Sequence, residues 1–424
     1  MIMALFFLVS LKYMVIFSLK LHLMKRIFII IISILAISCH QDTTEFLYFG
    51  TYRANLQVDD KTTLPFVFKV KDANTLEIYN AEEVITVDEI EYKNDSVFIQ
   101  MPVFESYIKA KIKDRKLTGQ YITEGKDRSV PFTASPAKTR FETTKKPNTN
   151  ITGNWETTFS PNTDDSYKAK GIFTQNGNTV TGTFRTETGD YRYLDGVING
   201  DQMQLSTFDG AHAFLFTATV TDSTLNGAFY SGNHWKEPFT AFKNENFELK
   251  AADSLTYLKD GYETLAFSFP DENGNLISLT DDRFKDKVVV VQIMGTWCPN
   301  CLDESNYYAQ YYKDIKDKDI EFVALAFEYA KTEETAFKNI KRLKDRVGIN
   351  YPIVLAQTGT TSKSKANEKL PMLNHVLSYP TSIFVDKTGK VRKIHTGFNG
   401  PATGDKFIEF KDEFTTFMNM LINE

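Results

Sequence analysis

Val288–Cys301 reads VVVVQIMGTWCPNC, an apolar run that breaks at Gly295 and ends on two cysteines three positions apart. A short, continuous apolar run closed by a turn residue fits a strand buried on both faces, the pattern of a parallel sheet. The downstream sequence keeps that grammar. It predicts a helix from about Cys301 to Ile315, a strand at Glu321–Phe327, a helix at about Thr332–Val347 and a strand at Tyr351–Leu355. The polar insertion TGTTSKSKANEKL follows (Thr358–Leu370), read as a mobile loop or as lining for a substrate groove. A strand at Ser382–Val385, a turn at Asp386–Gly389, a strand near Val391–His395 and a helix from about Asp405 to Leu421 close the unit. Alternating strand and helix imply a mostly parallel or mixed sheet covered by helices.

The chain has three cysteines in 424 residues. A thiol attacks a disulfide as the thiolate, so the first cysteine of the pair needs a site that favours negative charge. A helix N-terminus supplies unpaired N–H groups and the positive end of the dipole. Cys298 would sit there as nucleophile, with Cys301 one turn in as the resolving thiol. Pro299 suits the first helical turn, where its missing N–H costs nothing. A C-x-x-C can also be half of a zinc site, but His375 and His395 lie too far downstream and too far apart for a compact finger. A structural disulfide at this spacing is the other alternative. Redox chemistry at Cys298 and Cys301 is the expectation, with no metal and no cofactor.

GTWCPNCLDE behind its apolar strand, FVALAF, and SYPTSIFVDKTGKV resemble the TlpA/ResA-like branch of the thioredoxin superfamily, whose members are membrane-attached thiol-disulfide oxidoreductases of the bacterial cell envelope. The resemblance covers about Leu265 to Asn423. It implies that Cys298 is the attacking thiol, Cys301 the resolving thiol and Pro380 a cis-proline facing them. Tyr379 and Thr381 flank that proline and, with Trp297 and Pro299, form the expected substrate-binding surface. Glu304 matches the acid that the family keeps beside the disulfide, where it would exchange protons with the cysteines; the alternative is an exposed first-turn glutamate. Two departures stand out. Gln292 occupies the strand position where thioredoxin has a buried Asp, so a proton relay from the strand is absent, and Asn306 replaces a proline common in relatives.

Upstream, from about Gly50 to Phe242, the chain shows short alternating strands, such as PFVFKV (Pro65–Val70) and FLFTATV (Phe214–Val220), between turn signals, an all-β pattern. The region repeats: Asp114, Leu117 and Gly119 recur 108 positions later as Asp222, Leu225 and Gly227, and both copies then read PFTA, at Pro131–Ala134 and Pro238–Ala241. We therefore expect β unit 1 at 48–135, a Lys/Thr/Pro-rich linker at 136–152, β unit 2 at 153–245, and the α/β thioredoxin-like domain at 253–424. Each β unit would be a small antiparallel barrel or sandwich, or the two together would form one larger sheet assembly. Trp155, Trp235, Tyr191 and Tyr193 could stack on a ligand, or serve as strand core.

At the start, Lys25–Arg26 precede an apolar stretch, Ile27–Ile37, then Ser38 and Cys39, the order of parts in a secretory signal. Ala36-Ile37-Ser38-Cys39 resembles a bacterial lipobox, with Ala36 where Leu is commoner. The expectation is a signal segment at 1–38, starting in practice at Met24, and a lipidated Cys39 that anchors the chain in the envelope facing the periplasm. Past residue 39 no apolar run is long enough to span a bilayer. A formal charge of −5 without a dense basic run excludes nucleic acid as the expected partner. The first functional expectation is thus an envelope protein-disulfide reductase. By resemblance its partners would be disulfide-containing envelope proteins, among them apocytochrome c, and a membrane thiol electron carrier. The second is a ligand- or partner-binding lipoprotein whose β units carry the main function, with the redox domain accessory. A lone-cysteine peroxidase fits less well, because the pair is tight and follows Trp297.

Overall fold

The computed structural model describes residues 14, 17–25, 45–315 and 319–424. Cys39 and most of the signal segment lie outside them. Among the described residues, no helix is long and apolar enough to cross a membrane. Phe46–Glu424 form one unit, built on three large sheets.

Strict alternation makes the first sheet. In Ser106–Lys113, Ser106, Ile108, Ala110 and Ile112 point inward while lysines at 109, 111 and 113 point out. Asp114 and Arg115 then take φ of 51° and 62°, the positive values that a two-residue hairpin demands, and Lys116–Thr123 returns alongside. Nine antiparallel strands between Gly50 and Pro136 form this sheet, with Gly50–Gln57 paired to both Thr63–Val70 and Arg128–Pro136.

The second sheet spans Gly153–Lys243 and its ladder closes on itself. Gly153–Phe159 pairs with Tyr167–Asn176 and Trp235–Lys243, and Tyr167–Asn176 also pairs with Thr179–Thr186. Closure leaves the ring of strands no open edge. Trp155, Phe159, Phe173, Phe184, Phe216 and Phe239 fill the barrel. Trp155 is therefore core, its indole donating to the Ile151 carbonyl at 2.8 Å. The two glycines of the repeat hold equivalent places: Gly119 lies opposite Ala110 and Gly227 opposite Ala218. A Cβ at either would come within 2.0 Å of a carbonyl on the neighbouring strand.

The segment read as a linker is anchored. Arg140 is buried and donates to the Ser206 carbonyl at 2.9 Å on the barrel and to Asn80 Oδ1 at 3.1 Å on the first sheet. Phe208, Leu215 and Tyr230 of the barrel also enter the first sheet's core, with Phe208 stacked on Phe66 at 4.1 Å.

The third sheet runs Ile353–Gln357, Ile320–Phe327, Val288–Met294, Thr381–Val385, Val391–Thr396 in spatial order. The first two contacts are parallel and the last two antiparallel. Helices Pro299–Asp314, Glu333–Val347 and Asp405–Asn423 accompany it. Asn306 does not interrupt the first of these. The polar insertion is not a loop: Lys363–Lys369 is helical, Ser362 caps it, and Ala366 and Leu370 are buried. Nor does it line the cleft at the cysteines.

Candidate active site

All seven residues of Val288–Met294 are buried, and the chain leaves the sheet at Gly295. A Cβ there would meet the Trp297 indole at 2.3 Å, so glycine lets that ring fold back under the loop. Trp297 Nε1 donates to the Phe327 carbonyl at 2.9 Å. Cys298 caps the following helix from extended backbone (φ −102°, ψ 112°), and Pro299 occupies its first turn. The Cys301 N–H donates to Cys298 Sγ at 3.2 Å, the contact that lowers the energy of a thiolate at that atom. Cys298 and Cys301 form a disulfide with Cα atoms 5.2 Å apart. Cys301 is wholly buried and Cys298 is 6% exposed, so the outer sulfur alone can be met first.

The Tyr379–Pro380 peptide is cis, and the Tyr379 carbonyl oxygen lies 3.4 Å from Cys298 Sγ. The Tyr379 ring stands edge-on to Trp297 with centroids 5.5 Å apart. Thr381, expected on the substrate surface, is buried, and its hydroxyl donates to the Ser378 carbonyl at 2.9 Å. It braces the turn from behind; Trp297, Pro299 and Tyr379 line the cleft, whereas Pro380 does not.

Glu304 is no exposed helix-start residue. It is fully buried one turn beyond Cys301, and its carboxylate accepts from Gln292 Nε2 at 2.8 Å, Ser382 Oγ at 2.9 Å and Tyr308 Oη at 3.2 Å. Burial pushes its carboxyl up to about 7, against the pull of those three donors. Gln292 thus serves the acid instead of replacing it: the carboxyl sits on the helix and the strand supplies an amide. A second buried acid escaped the sequence reading. Glu328 follows the strand Ile320–Phe327 and accepts from the Thr296 N–H at 2.8 Å and the Thr296 hydroxyl at 2.7 Å, fixing the loop before Trp297. Burial lifts it to about 7 as well, and Glu105 of the first sheet adds to the rise. Its signal was its place at the C-terminal end of a central parallel strand, where sites of open α/β sheets gather.

Neither β sheet stands apart from this site. From the first, Lys126 lies over the Trp297 ring at 5.7 Å and over Tyr329 at 5.5 Å. From the second, the Asp190 carbonyl accepts from Asn300 Nδ2 at 3.2 Å, and Asp190 Oδ2 accepts from the Gly400 N–H at 2.6 Å. The Thr188 carbonyl accepts from Ser378 Oγ at 2.8 Å, directly before the cis bond. Arg192 is buried and donates to the Pro299 carbonyl at 3.2 Å. It pairs with Asp303 of the helix, Glu83 of the first sheet and Asp209 of the second. Beside Cys298 these elements leave a cleft of about 860 Å³ between the cysteine loop and the barrel.

Residues 259–407 match the Redoxin family. The thiol-disulfide oxidoreductase ResA of Bacillus subtilis (strain 168) is 29% identical over 140 residues, covering 33% of this chain and 69% of ResA. ResA of Bacillus cereus (strain ATCC 10987 / NRS 248) is 32% identical over 131 residues, covering 31% and 66%. The chain thus spans about two thirds of the length of these curated relatives. Among solved structures, a thiol-disulfide oxidoreductase from Bacteroides fragilis NCTC 9343 aligns at 20% identity and a TM-score of 0.27, over 35% of this chain and 99% of its own.

Proposed function

Because this chain is a ResA-like member of the thioredoxin superfamily and a thiol-disulfide oxidoreductase, we propose that it reduces protein disulfides in a bacterial cell envelope. One observation carries the reading: the cysteine pair stands at a helix N-terminus, with only the outer sulfur open to a client and a buried acid one turn beyond the inner one. In the reduced enzyme, the Cys298 thiolate attacks one sulfur of the client disulfide, forms a mixed disulfide and releases the client's other sulfur as a thiolate. Glu304 takes the Cys301 proton, and the Cys301 thiolate attacks Cys298 Sγ. The mixed disulfide breaks, the client gains the two electrons that the cysteine pair gives up, its two thiolates take protons from Glu304 and water, and the Cys298–Cys301 disulfide is left. Trp297, Pro299 and Tyr379 receive the client strand.

The clients are disulfide-containing envelope proteins such as apocytochrome c, and a membrane thiol carrier returns the electrons. Lipid on Cys39 holds the chain to the membrane, facing the periplasm. The two β units are copies of one design, which the paired glycines and repeated PFTA support. The exposed Trp235 does not favour a separate binding function, since its hollow shares Tyr191 and Phe214 with the cleft at Cys298.

With Cys301→Ser, step two cannot occur, so full-length protein in its host should accumulate mixed disulfides that dithiothreitol releases. A reduction potential below about −230 mV fits a reductase, and one near about −120 mV makes it an oxidant. Absence of any thiol-sensitive adduct would sink the reading. For the anchor, Cys39→Ser should move the chain from the membrane pellet to the soluble fraction; an unchanged partition would refute lipidation there.

A further inference from the structure

Cys298 reaches solvent through a cleft whose far wall is not part of the redox domain. Tyr167, Thr188, Tyr191 and Phe214 of the barrel face Trp297, Cys298, Asn300 and Tyr379 across it. The walls are pinned together by Asn300 and Ser378, which donate to the Asp190 and Thr188 carbonyls at 3.2 and 2.8 Å. Lys126 closes over Trp297 from the first sheet. A broad folded surface cannot lay its disulfide on a cysteine that is 6% exposed within such a cleft. A single extended strand can.

The lining matches that strand chemically. Tyr379 is 8% exposed, and among the described residues its hydroxyl has no partner; Asn300 Oδ1 is also buried without one there. The hydroxyl can donate to a peptide carbonyl and the amide oxygen can accept a peptide N–H, the two groups that every extended backbone brings. Beyond them, Tyr191 and Phe214 continue into a hollow of about 370 Å³ with Phe229 and Trp235, which suits an aromatic side chain. The cleft's two lysines are already engaged, Lys168 by Glu156 at 2.8 Å and Lys250 by Glu187 at 3.6 Å. His212 completes the basic lining and stands 3.3 Å from Asp209, so each basic side chain there already has a carboxylate beside it.

We infer that the barrel is half of the substrate site, and that the substrate is an unfolded, extended polypeptide segment with an aromatic residue near its disulfide-bonded cysteine. This deepens the oxidoreductase reading and rests on it. The test uses the full-length chain carrying Cys301→Ser, so that Cys298 reacts alone and once. Two ten-residue peptides bear a cysteine–thiopyridine mixed disulfide, one with Phe and one with Ala two positions from the cysteine; glutathione disulfide is the third probe. The Phe peptide should react about tenfold faster than the Ala peptide, a preference of the size that one aromatic contact supports. Phe214→Ala should erase that ratio, and Ser166→Trp, at an exposed position on the cleft rim, should lower both peptide rates relative to glutathione disulfide. Equal peptide rates, or glutathione disulfide reacting faster than the Phe peptide, overturns the inference while leaving the oxidoreductase intact. Failure of all three probes at Cys298 overturns the oxidoreductase reading, and this inference with it.

Discussion

Glu304→Gln should slow closure of the Cys298–Cys301 disulfide on a mixed disulfide by about 10²-fold or more, the usual loss when a positioned base is removed. Rapid mixing of the reduced chain, with Cys301 intact, and a client disulfide at a series of pH values measures it as the decay of the mixed disulfide. In the native chain the rate should climb with pH through about 7, where burial has placed the Glu304 carboxyl, because only the ionised form can take the Cys301 proton. The variant should lose that limb. Stability should move the other way. A carboxyl raised in the fold from its usual 4.5 contributes fully below that value, and its contribution is lost as pH rises through about 7. By pH 8 an ionised Glu304 costs about 3 kcal/mol, so the variant should gain against native protein at pH 8 and change little at pH 4. Glu328, also lifted to about 7, keeps part of the slope in both proteins. Identical rate profiles for variant and native chain would remove Glu304 from the reaction.

How legible this was depends on the range of the interaction. Val288–Met294 announced itself because a strand covered on both faces must be apolar throughout, and the cysteine turn followed from residues adjacent in sequence. The faces of Ser106–Lys113 are equally local, since lysines alternating with aliphatic residues can face only one way. Glu304 was visible as a residue but not as an environment: its donors come from Gln292, twelve positions back, and Ser382, on another strand. The insertion Thr358–Leu370 was misread because its helix rests on Ser362, Ala366 and Leu370 alone within a polar run, too few apolar positions to set a period. The barrel's part in the site had no local sign. Thr188 and Asp190 read as ordinary turn residues, and their partners, Ser378 and Asn300, stand more than a hundred positions away.

The same long range gives Arg192 its weight, and Arg192→Met should cost about 3–5 kcal/mol, the loss expected when a buried charge network loses its central cation. Its guanidinium is ringed by Glu83, Asp209 and Asp303, three carboxylates from three different sheets' worth of chain. Burial pushes Asp303 up to about 7 even with the guanidinium beside it, so that group is protonated at pH 5 and ionised at pH 8. The cost of removing the cation should therefore be larger at pH 8, where the abandoned carboxylates repel each other, and smaller at pH 5. Urea unfolding at both values measures it as a difference in midpoint. Arg192→Gly separates charge from backbone: the residue sits at φ 61°, where glycine is at ease, so a destabilisation that persists in the glycine variant belongs to the lost cation. Arg192→Lys keeps one charge but not the fork that reaches several partners at once, and should fall between. Because the guanidinium also donates to the Pro299 carbonyl, at the helix turn that bears Cys298, the methionine variant should release the barrel from the cysteine loop and weaken the preference for the aromatic peptide. Unchanged midpoints at both pH values would mean that the three carboxylates are held by something other than Arg192, and that the barrel keeps its place over Cys298 without this ion network.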